Sequence, residues 1–271
     1  MTEGELINRK GALKGALIPA AVLDLLNRGL LESVNLIEWS AVDHRKLVEQ
    51  AYPELGLSEL IAPSIALLQS IDKPSAMKNV AAMGQLLFEY GREKQCLDTL
   101  YRDLYNHTSD TIRSFSCFVI ALQGDLPINH RLESARVLIA DGNFGVREII
   151  WMALRPHIAT QLDEVLLYLQ GWTADPDARI RRFVTEVTRP KGVWTAAIIR
   201  LKENPELALP LLEALRNDPA LYVQNSVANW LNDSSKSQPE FVRSVCARWL
   251  EESNTKSTQY IVKRALRTLN K

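Results

Sequence analysis

The chain has 271 residues, of which 46% are hydrophobic, so it is long enough to bury one extended core or two compact ones. Its net charge is zero, and it contains no apolar run of 18 residues, which excludes a membrane-spanning helix. The N-terminus lacks the basic-then-apolar pattern of a signal peptide, and we therefore expect a cytoplasmic protein. The three cysteines are far apart and unaccompanied by histidine, which predicts buried free thiols rather than a disulfide framework or a zinc site (Cys96, Cys117 and Cys246).

The zero net charge conceals an uneven distribution along the chain. Residues 1–110 hold 11 Lys and Arg against 15 Asp and Glu, whereas residues 176–271 hold 16 Lys and Arg against 10 Asp and Glu. A basic bias confined to one part of a chain indicates a polyanion partner, although solvated helix faces show similar excesses. Both interpretations stay open on charge alone.

Apolar residues recur at intervals of three and four along almost the whole chain, and strand-like alternation is nearly absent. Gly, Pro and Asn-Asp pairs punctuate these segments, which predicts an all-α chain of many short helices. In chain order, the predicted helices span residues 19–30, 33–38, 40–51, 57–69, 74–89, 93–106, 109–122, 128–140, 144–155, 158–170, 176–187, 193–202, 205–216, 219–231, 238–252 and 256–270.

Helix pairs repeat from about residue 110 onward. Segments that begin at Ile112, Val146, Ile180, Val223 and Tyr260 resemble one another and are spaced by 34, 34, 43 and 37 residues. A two-helix period of roughly 34–47 residues is typical of an α-solenoid of HEAT or armadillo type, in which stacked pairs form a curved, concave surface. An irregular helical bundle is the alternative fold.

Three successive second helices carry a carboxylate at related positions. Counted from the first apolar residue of its helix, Glu148 is at position 3, Glu186 at position 7 and Asp233 at position 11. Positions four residues apart share one helix face, so we expect the three carboxylates to point to the same side of the array. The opposite positions form the predicted buried stripe: Ile149, Ile150, Ala153, Phe183, Val184, Val187, Val227, Trp230 and Leu231.

The remainder of the carboxylate face is rich in arginine and asparagine rather than in lysine and glutamate. Arginine beside asparagine suits contacts with phosphates and nucleotides, whereas a plain solvated face is the alternative interpretation. Tryptophans occur in the same region, and we expect Trp151 and Trp230 in the core, while Trp194 is equally suited to stacking on a base. The polar residues assigned to this face are Arg155, Arg182, Arg189, Asn225, Asn229 and Asn232.

Three stretches of the second half resemble a known family. They read DGNFGVREIIWMALRP, DARIRRFVTEVTRPKGVW and YVQNSVANWLNDSSKSQPEFV, and their order and spacing follow the repeat. The sequence resembles the DNA alkylation repair superfamily of HEAT-like glycosylases over about residues 110–271, and it is most similar to the AlkC branch. The first 100 residues match poorly and resemble the opening of a distinct subgroup.

The resemblance implies a monofunctional, metal-free enzyme without a cofactor that excises cationic N-alkylated purines, chiefly 3-methyladenine, from double-stranded DNA. The family's carboxylates fall on Glu148, Glu186 and Asp233. Alkylation makes the base a cation, so the glycosidic bond is already weak and no strong general acid is needed. A preorganised carboxylate stabilises the positive charge that builds on the deoxyribose and orients or deprotonates the attacking water. We expect Glu148 and Glu186 to flank the sugar and Asp233 to assist the water.

Phosphate contacts are expected from cations near helix ends and loops. Such contacts make binding to DNA salt-dependent. The predicted DNA-binding residues are Arg182, Arg189, Lys191, Trp194, Asn225, Asn229 and Lys236, with Lys263 and Arg264 as further cations.

The domain prediction is a divergent helical region over residues 1–108 that continues into HEAT-like repeats over residues 109–271, acting as a monomer in the bacterial cytoplasm near the nucleoid. Two other functions fit the same pattern. One is a catalytically inactive HEAT-repeat protein that binds damaged or branched DNA. The other is a protein-interaction scaffold, which has no need for clustered carboxylates on its concave face.

Overall fold

A computed structural model describes residues 4, 6, 8–192, 194–253 and 255–270. Over these residues the secondary structure is helical and contains no strand, which confirms the all-α prediction. Five short 3-10 turns lie between or beside the helices, at Gly15–Leu17, Ser58–Leu60, Gly171–Ala174, Pro205–Ala208 and Leu266–Thr268. The α-helices are α1 (Ala20–Asn27), α2 (Leu36–Ala41), α3 (His44–Ala51), α4 (Ile61–Ser70), α5 (Ala76–Glu93), α6 (Leu97–Tyr105), α7 (Asp110–Ala121), α8 (Ile128–Ile139), α9 (Phe144–Thr160), α10 (Leu162–Gln170), α11 (Ala178–Val187), α12 (Ile199–Glu203), α13 (Leu209–Leu215), α14 (Leu221–Ser234), α15 (Pro239–Glu252) and α16 (Lys256–Ala265).

The chain divides into two compact units. The first comprises Met1–Pro127 with Glu133–Ala153, and the second comprises Ile128–Leu132 with Leu154–Lys271. In the first unit the buried Glu38 carboxylate accepts hydrogen bonds from Arg9 Nε at 3.1 Å and Nη2 at 2.6 Å, which ties the N-terminal segment to α2. The buried Asp110 at the start of α7 accepts bonds from the backbone N–H and the hydroxyl of Ser33.

Helices α9, α11 and α14 are second helices of the predicted pairs. An aspartate opens the loop before each of them, five residues ahead of the helix's first apolar residue. Its carboxylate accepts a hydrogen bond from the backbone N–H two residues later, at 2.7 Å for Asp141 and 2.8 Å for both Asp175 and Asp218. This turn, in which the side chain imitates a backbone acceptor, ends one helix and directs the chain into the next. The three loops therefore share one local structure.

Position 2 of the second helices connects successive repeats. Nη1 of Arg113 donates to the carbonyl oxygens of residues 107 and 108, both at 2.8 Å, and Nη1 of Arg181 donates to those of residues 175 and 176, at 2.8 and 3.1 Å. Each guanidinium also pairs with the loop aspartate of the following repeat, Arg113 with Asp141 and Arg181 with Asp218. One side chain therefore closes its own loop and fixes the next, which is how a solenoid propagates its register.

The predicted buried stripe is confirmed, because Ile149, Ile150 and Ala153 of α9 and the apolar positions of α11 and α14 are buried. The predicted helix ending at residue 155 is wrong, since α9 continues through Pro156 to Thr160. Pro156 is exposed, and the fully buried Leu154 and Ile158 on either side continue the apolar stripe. Core packing therefore outweighs the tendency of proline to end a helix.

The predicted helix over residues 193–202 is also wrong at its start. Residues 194–198 are irregular, and α12 begins only at Ile199. Val193 lies outside the described residues. The predictions of buried Cys117 and Cys246 are confirmed, whereas Cys96 is half-buried.

Candidate active site

Two of the three predicted catalytic carboxylates share one guanidinium in the second unit. Arg189, just after α11, donates from Nε and Nη2 to Oδ2 of Asp233 on α14, at 2.9 and 2.6 Å, and from Nη1 to Oε2 of Glu186, at 3.2 Å. The side chains of Glu186 and Asp233 are only 4% and 8% exposed. We call Glu186, Arg189 and Asp233 the acidic cluster. The sequence register brought these two carboxylates to one face, and in the structure they meet around Arg189.

Glu186 is held from three directions. Its Oε1 accepts a hydrogen bond from the hydroxyl of Ser226 on α14 at 2.9 Å and lies 3.5 Å from Nη2 of Arg182. Ser226 is itself hydrogen-bonded to Thr185 at 2.6 Å, and both hydroxyls are buried. Several donors fix a carboxylate in position, and a fixed carboxylate can stabilise a nearby positive charge.

The acidic cluster and its neighbours carry a net positive charge. Burial lowers the pKa of Arg189, but the neighbouring Glu186 and Asp233 outweigh burial and raise that pKa overall, so the guanidinium stays charged. Nζ of Lys236 lies 3.5 Å from the second oxygen of Asp233, and this lysine is about half exposed. Together with Arg182, three cations therefore adjoin two carboxylates, and the surplus charge suits an anion such as a phosphodiester.

Glu148 belongs to the first unit and is oriented within its own helix. The buried indole of Trp151 donates from Nε1 to Oε2 of Glu148 at 2.9 Å. Glu148 itself is half-buried. Trp151 is in the core as predicted, and its N–H has the polar partner that a buried indole requires. The convergence of Glu148 with the acidic cluster stays a prediction.

The polar face of the second unit is organised by contacts between successive second helices. The guanidinium of Arg182 lies 4.9 Å from the ring centroid of Tyr222, a cation–π contact. Asn225 accepts a hydrogen bond from the hydroxyl of Tyr260 at 2.9 Å, and Asn229 accepts one from Arg267 at 3.0 Å. These side chains form a row across α11, α14 and the end of α16, as the Arg-Asn composition suggested.

The remaining predicted DNA-binding residues are exposed. Lys191 and Trp194 lie in the segment between α11 and α12, and the indole is 59% exposed. Lys263 and Arg264 are exposed on α16, where Arg264 lies 5.5 Å from the ring centroid of Tyr260. Exposed cations beside exposed or half-exposed aromatic rings are common on protein surfaces that bind nucleic acids.

Two residues assigned to the polar face lie elsewhere. Arg155 is only 2% exposed, and Asn232 is buried with Nδ2 donating to the carbonyl of Ala265 and to the hydroxyl of Thr268, both at 2.9 Å. Counted from the first apolar residue of each second helix, Arg155, Arg189 and Asn232 all occupy position 10. In all three repeats this position reaches the following repeat, so its polar character serves the contact between repeats, and the prediction of a surface role for Arg155 and Asn232 is wrong.

Sequence reasoning missed three contributors to this face. Ser226 orients Glu186, Tyr260 binds Asn225 and Arg267 binds Asn229. The available signal was spacing, because Arg267 follows Tyr260 by seven residues and therefore belongs to the same helical face. Ser226 gives no signal of its own, since a serine within a helix is most often a plain core or surface residue.

No set of three or more histidine, cysteine, aspartate or glutamate side chains in the described ranges could hold a metal ion. Within those ranges, no helix is long and apolar enough to cross a bilayer.

Comparisons with known proteins agree with the repeat architecture. No family model matches the sequence. The curated protein YhaZ of Bacillus subtilis (strain 168), described as uncharacterized, is 35% identical over 142 residues, which cover 52% of this chain and 38% of YhaZ. The chain therefore spans well under half the length of this relative.

Solved structures extend the likeness to most of the chain. The alkylpurine DNA glycosylase AlkC of Pseudomonas fluorescens, bound to DNA containing an abasic site analog, is 26% identical with a TM-score of 0.67, over 81% of this chain and 59% of AlkC. AlkD2 of Streptococcus mutans is 22% identical with a TM-score of 0.59, over 77% of this chain and 96% of AlkD2. The smu.31 protein of Streptococcus mutans UA159 is 22% identical with a TM-score of 0.55, over 82% and 98%.

The chain spans about three fifths of the length of AlkC, whereas it covers nearly all of AlkD2 and smu.31, two likenesses that concern the fold alone. The chain therefore has the all-helical fold of AlkC and AlkD2.

Proposed function

We propose that this protein is a DNA glycosylase of base excision repair that hydrolyses the N-glycosidic bond of cationic N-alkylated purines such as 3-methyladenine. The proposal includes membership of the AlkC branch, whose P. fluorescens representative has a higher TM-score with this chain than AlkD2 does. Its substrate is double-stranded DNA with alkylated bases, and the protein acts as a monomer in the cytoplasm, where a bacterial chromosome lies.

One observation carries the proposal. Glu186 and Asp233, from successive second helices, are held side by side by Arg189 on a face that also carries Arg182 and Lys236. Departure of an alkylated purine leaves positive charge on the deoxyribose, and a fixed carboxylate stabilises that charge without having to reorganise. The adjacent cations bind the flanking phosphates, so the same surface answers both charges of the substrate.

Glu148 supplies the third carboxylate of the proposed site. Trp151 binds one of its oxygens and thereby orients the carboxylate. In this scheme Glu148 and Glu186 flank the sugar, and Asp233 orients the attacking water. Because the departing base is already cationic, the scheme requires neither a strong general acid nor a metal.

Release of 3-methyladenine from methylated duplex DNA tests the proposal. Wild type should release the base, whereas Glu148→Gln, Glu186→Gln and Asp233→Asn should each lose most excision and retain binding to DNA. Glu240→Gln, at an exposed position on α15, is the matched control and should behave as wild type. Equal excision by the three variants and the control would remove the assigned carboxylates from the mechanism.

A specific observation favours a second function, a DNA-binding protein without glycosylase activity. Every oxygen of Glu186 and Asp233 already lies close to a cation or hydroxyl, so both carboxylates are accounted for as structural ion pairs. Wild-type protein that binds duplex DNA in a salt-dependent way but releases no base would establish this alternative. Absence of DNA binding at low salt would leave the interaction scaffold as the remaining function.

A further inference from the structure

Arg155 is a buried cation whose guanidinium hydrogen-bonds to backbone carbonyls rather than to a carboxylate. The residue is 2% exposed, and the buried carboxylates of Glu186 and Asp233 act on it only through their charge. It donates from Nη1 to Val187 at 2.9 Å, from Nε to Ala196 at 3.1 Å and from Nη2 to Arg189. Burial, followed by repulsion from Arg189, lowers the pKa of Arg155 to about 10, so it remains charged at neutral pH. Burying a charged guanidinium costs free energy, so we looked for a role of the contacts that hold it.

The three carbonyls lie at the two ends of one loop. Val187 and Arg189 precede the loop and Ala196 follows its tip, so the guanidinium joins both ends. The backbone N–H of Ile198 adds a bond to the carbonyl of Pro190 at 3.1 Å. We call residues 190–192 and 194–198 the clamped loop. Arg155 also binds the backbone carbonyl of Arg189, whose side chain joins the two carboxylates of the acidic cluster.

The clamped loop presents an exposed indole. Trp194 is 59% exposed and lies two residues before Ala196, one of the carbonyls bound by Arg155. Lys191 is exposed in the same loop, and Arg189 immediately precedes Pro190. An apolar ring held beside cations is complementary to a nucleobase with its phosphates, because the ring stacks on the base while the cations meet the backbone.

We propose that Arg155 is a positioning residue, which closes the clamped loop so that Trp194 stacks on a nucleobase left without its partner at a damaged site in duplex DNA. This inference rests on the proposed function and names the feature of the DNA that the site recognises. A base opposite an abasic position has lost its pairing partner, so little energy is needed to bring it onto an indole.

The test compares binding to two duplexes of identical sequence, one intact and one with a stable abasic analogue, by fluorescence anisotropy. Wild type should prefer the abasic duplex, and Trp194→Ala should lose about five- to a hundred-fold of that preference, the range for one stacked base. Affinity for the intact duplex should change little. Leu221→Ala, which removes another exposed apolar side chain, is the control. Wild type without preference, or Trp194→Ala with full preference, overturns the inference.

The positioning role of Arg155 needs its own variants. Arg155→Met should lose the preference as Trp194→Ala does, and Arg155→Lys, which retains the charge and donors, should recover a large part of it. Gly192→Ala distorts the loop without touching the core, since the added Cβ would lie 2.0 Å from Oγ1 and 2.8 Å from the carbonyl oxygen of Thr195. Gly192→Ala should lower the preference for the abasic duplex while its melting temperature stays near that of wild type. This variant therefore tests the positioning role even if Arg155→Met fails to fold. Full preference in Gly192→Ala, or a folded Arg155→Lys no better than Arg155→Met, contradicts the positioning role.

The binding assay separates this inference from the proposed function, because the abasic analogue carries no base to excise. A Trp194-dependent preference in a protein that releases no 3-methyladenine retains the inference and rejects the glycosylase. Excision of 3-methyladenine without a Trp194-dependent preference retains the glycosylase and rejects the inference.

Discussion

Arg189 directs Nε and Nη2 to a single oxygen of Asp233, Oδ2, and leaves Nη1 to Glu186. The other oxygen of Asp233 lies 3.5 Å from Lys236. A guanidinium that binds one oxygen of each of two carboxylates fixes the distance between them without neutralising either completely. The two carboxylates are thereby held at a fixed separation, as the proposed stabilisation of a sugar cation requires.

The first prediction concerns this shared guanidinium. Arg189→Met should lower the free energy of unfolding by about 3–5 kcal/mol, because it leaves two nearly buried carboxylates without their common partner. Combined with Asp233→Asn, the loss should be smaller than the sum of the single losses, with a coupling of about 1–3 kcal/mol. Urea unfolding of the four proteins measures this coupling. Additive losses would mean that the ion pair does not stabilise the folded state.

The second prediction concerns the link between repeats. Arg181→Met removes the 2.6 Å pair with Asp218, whose side chain is 3% exposed, and two bonds to loop carbonyls. We expect a loss of about 3–5 kcal/mol in the free energy of unfolding. The control, Arg200→Met, breaks an exposed pair with Asp163 and should leave the free energy of unfolding almost unchanged, because solvent screens such a pair. Equal losses in the two variants would show that position 2 has no special importance.

The third prediction concerns pH. Burial raises the pKa of Asp110 to about 6, above the ordinary 3.8, although the bonds from Ser33 oppose this. The folded state therefore binds the proton more tightly, so the stability that this group contributes is full below about pH 4 and is lost as pH rises through about 6. Asp110→Asn removes the titration.

Thermal or urea unfolding between pH 4 and pH 7 measures this effect. The stability of Asp110→Asn relative to wild type should rise over that interval by on the order of 1–3 kcal/mol. Asp24→Asn, at an exposed position on α1, serves as the control and should keep a constant difference. A constant difference for Asp110→Asn as well would place the titration of Asp110 outside this range.

The fourth prediction concerns salt. Lys191 and Lys236 are exposed near the acidic cluster, and each should contact one phosphate. The double variant Lys191→Ala/Lys236→Ala should flatten the slope of log binding constant against log salt by about 1.8, or about 0.9 per contact. Lys202→Ala, at an exposed position on α12, should leave the slope unchanged. An unchanged slope in the double variant would remove both lysines from the DNA interface.

The repeat period predicted the second helices well, because each must bury an apolar stripe against its neighbours. The starts of α7, α9, α11 and α14 lie within two residues of their predicted positions. The same reasoning failed at Pro156, where core packing carries the helix onward, and at residues 194–198. In the second case the loop is held by a side chain 41 residues earlier, from Arg155 to Ala196, and no local pattern encodes such a contact.

The candidate site was accessible from the sequence only in part. Helical register was enough to place Glu186 and Asp233 on one face, since that argument needs only the geometry of two similar helices. It could not assign position 10, where Arg155, Arg189 and Asn232 all have polar side chains but only Arg189 joins the carboxylates. Burial and partner depend there on the following repeat, and a polar residue at a fixed position looks the same in either setting.

The clamp formed by Arg155 also explains an irregularity in the repeat lengths. The spacing from Ile180 to Val223 is 43 residues, nine more than the 34 before it, and the connection between α11 and α12 runs from residue 188 to residue 198. The corresponding connection between α9 and α10 is Gln161 alone. Because both ends of the longer connection are fixed to one guanidinium, its tip is free to change in length and sequence while the helices beyond it keep their stacking. The loop can therefore be exchanged or lengthened without redesign of the helices on either side.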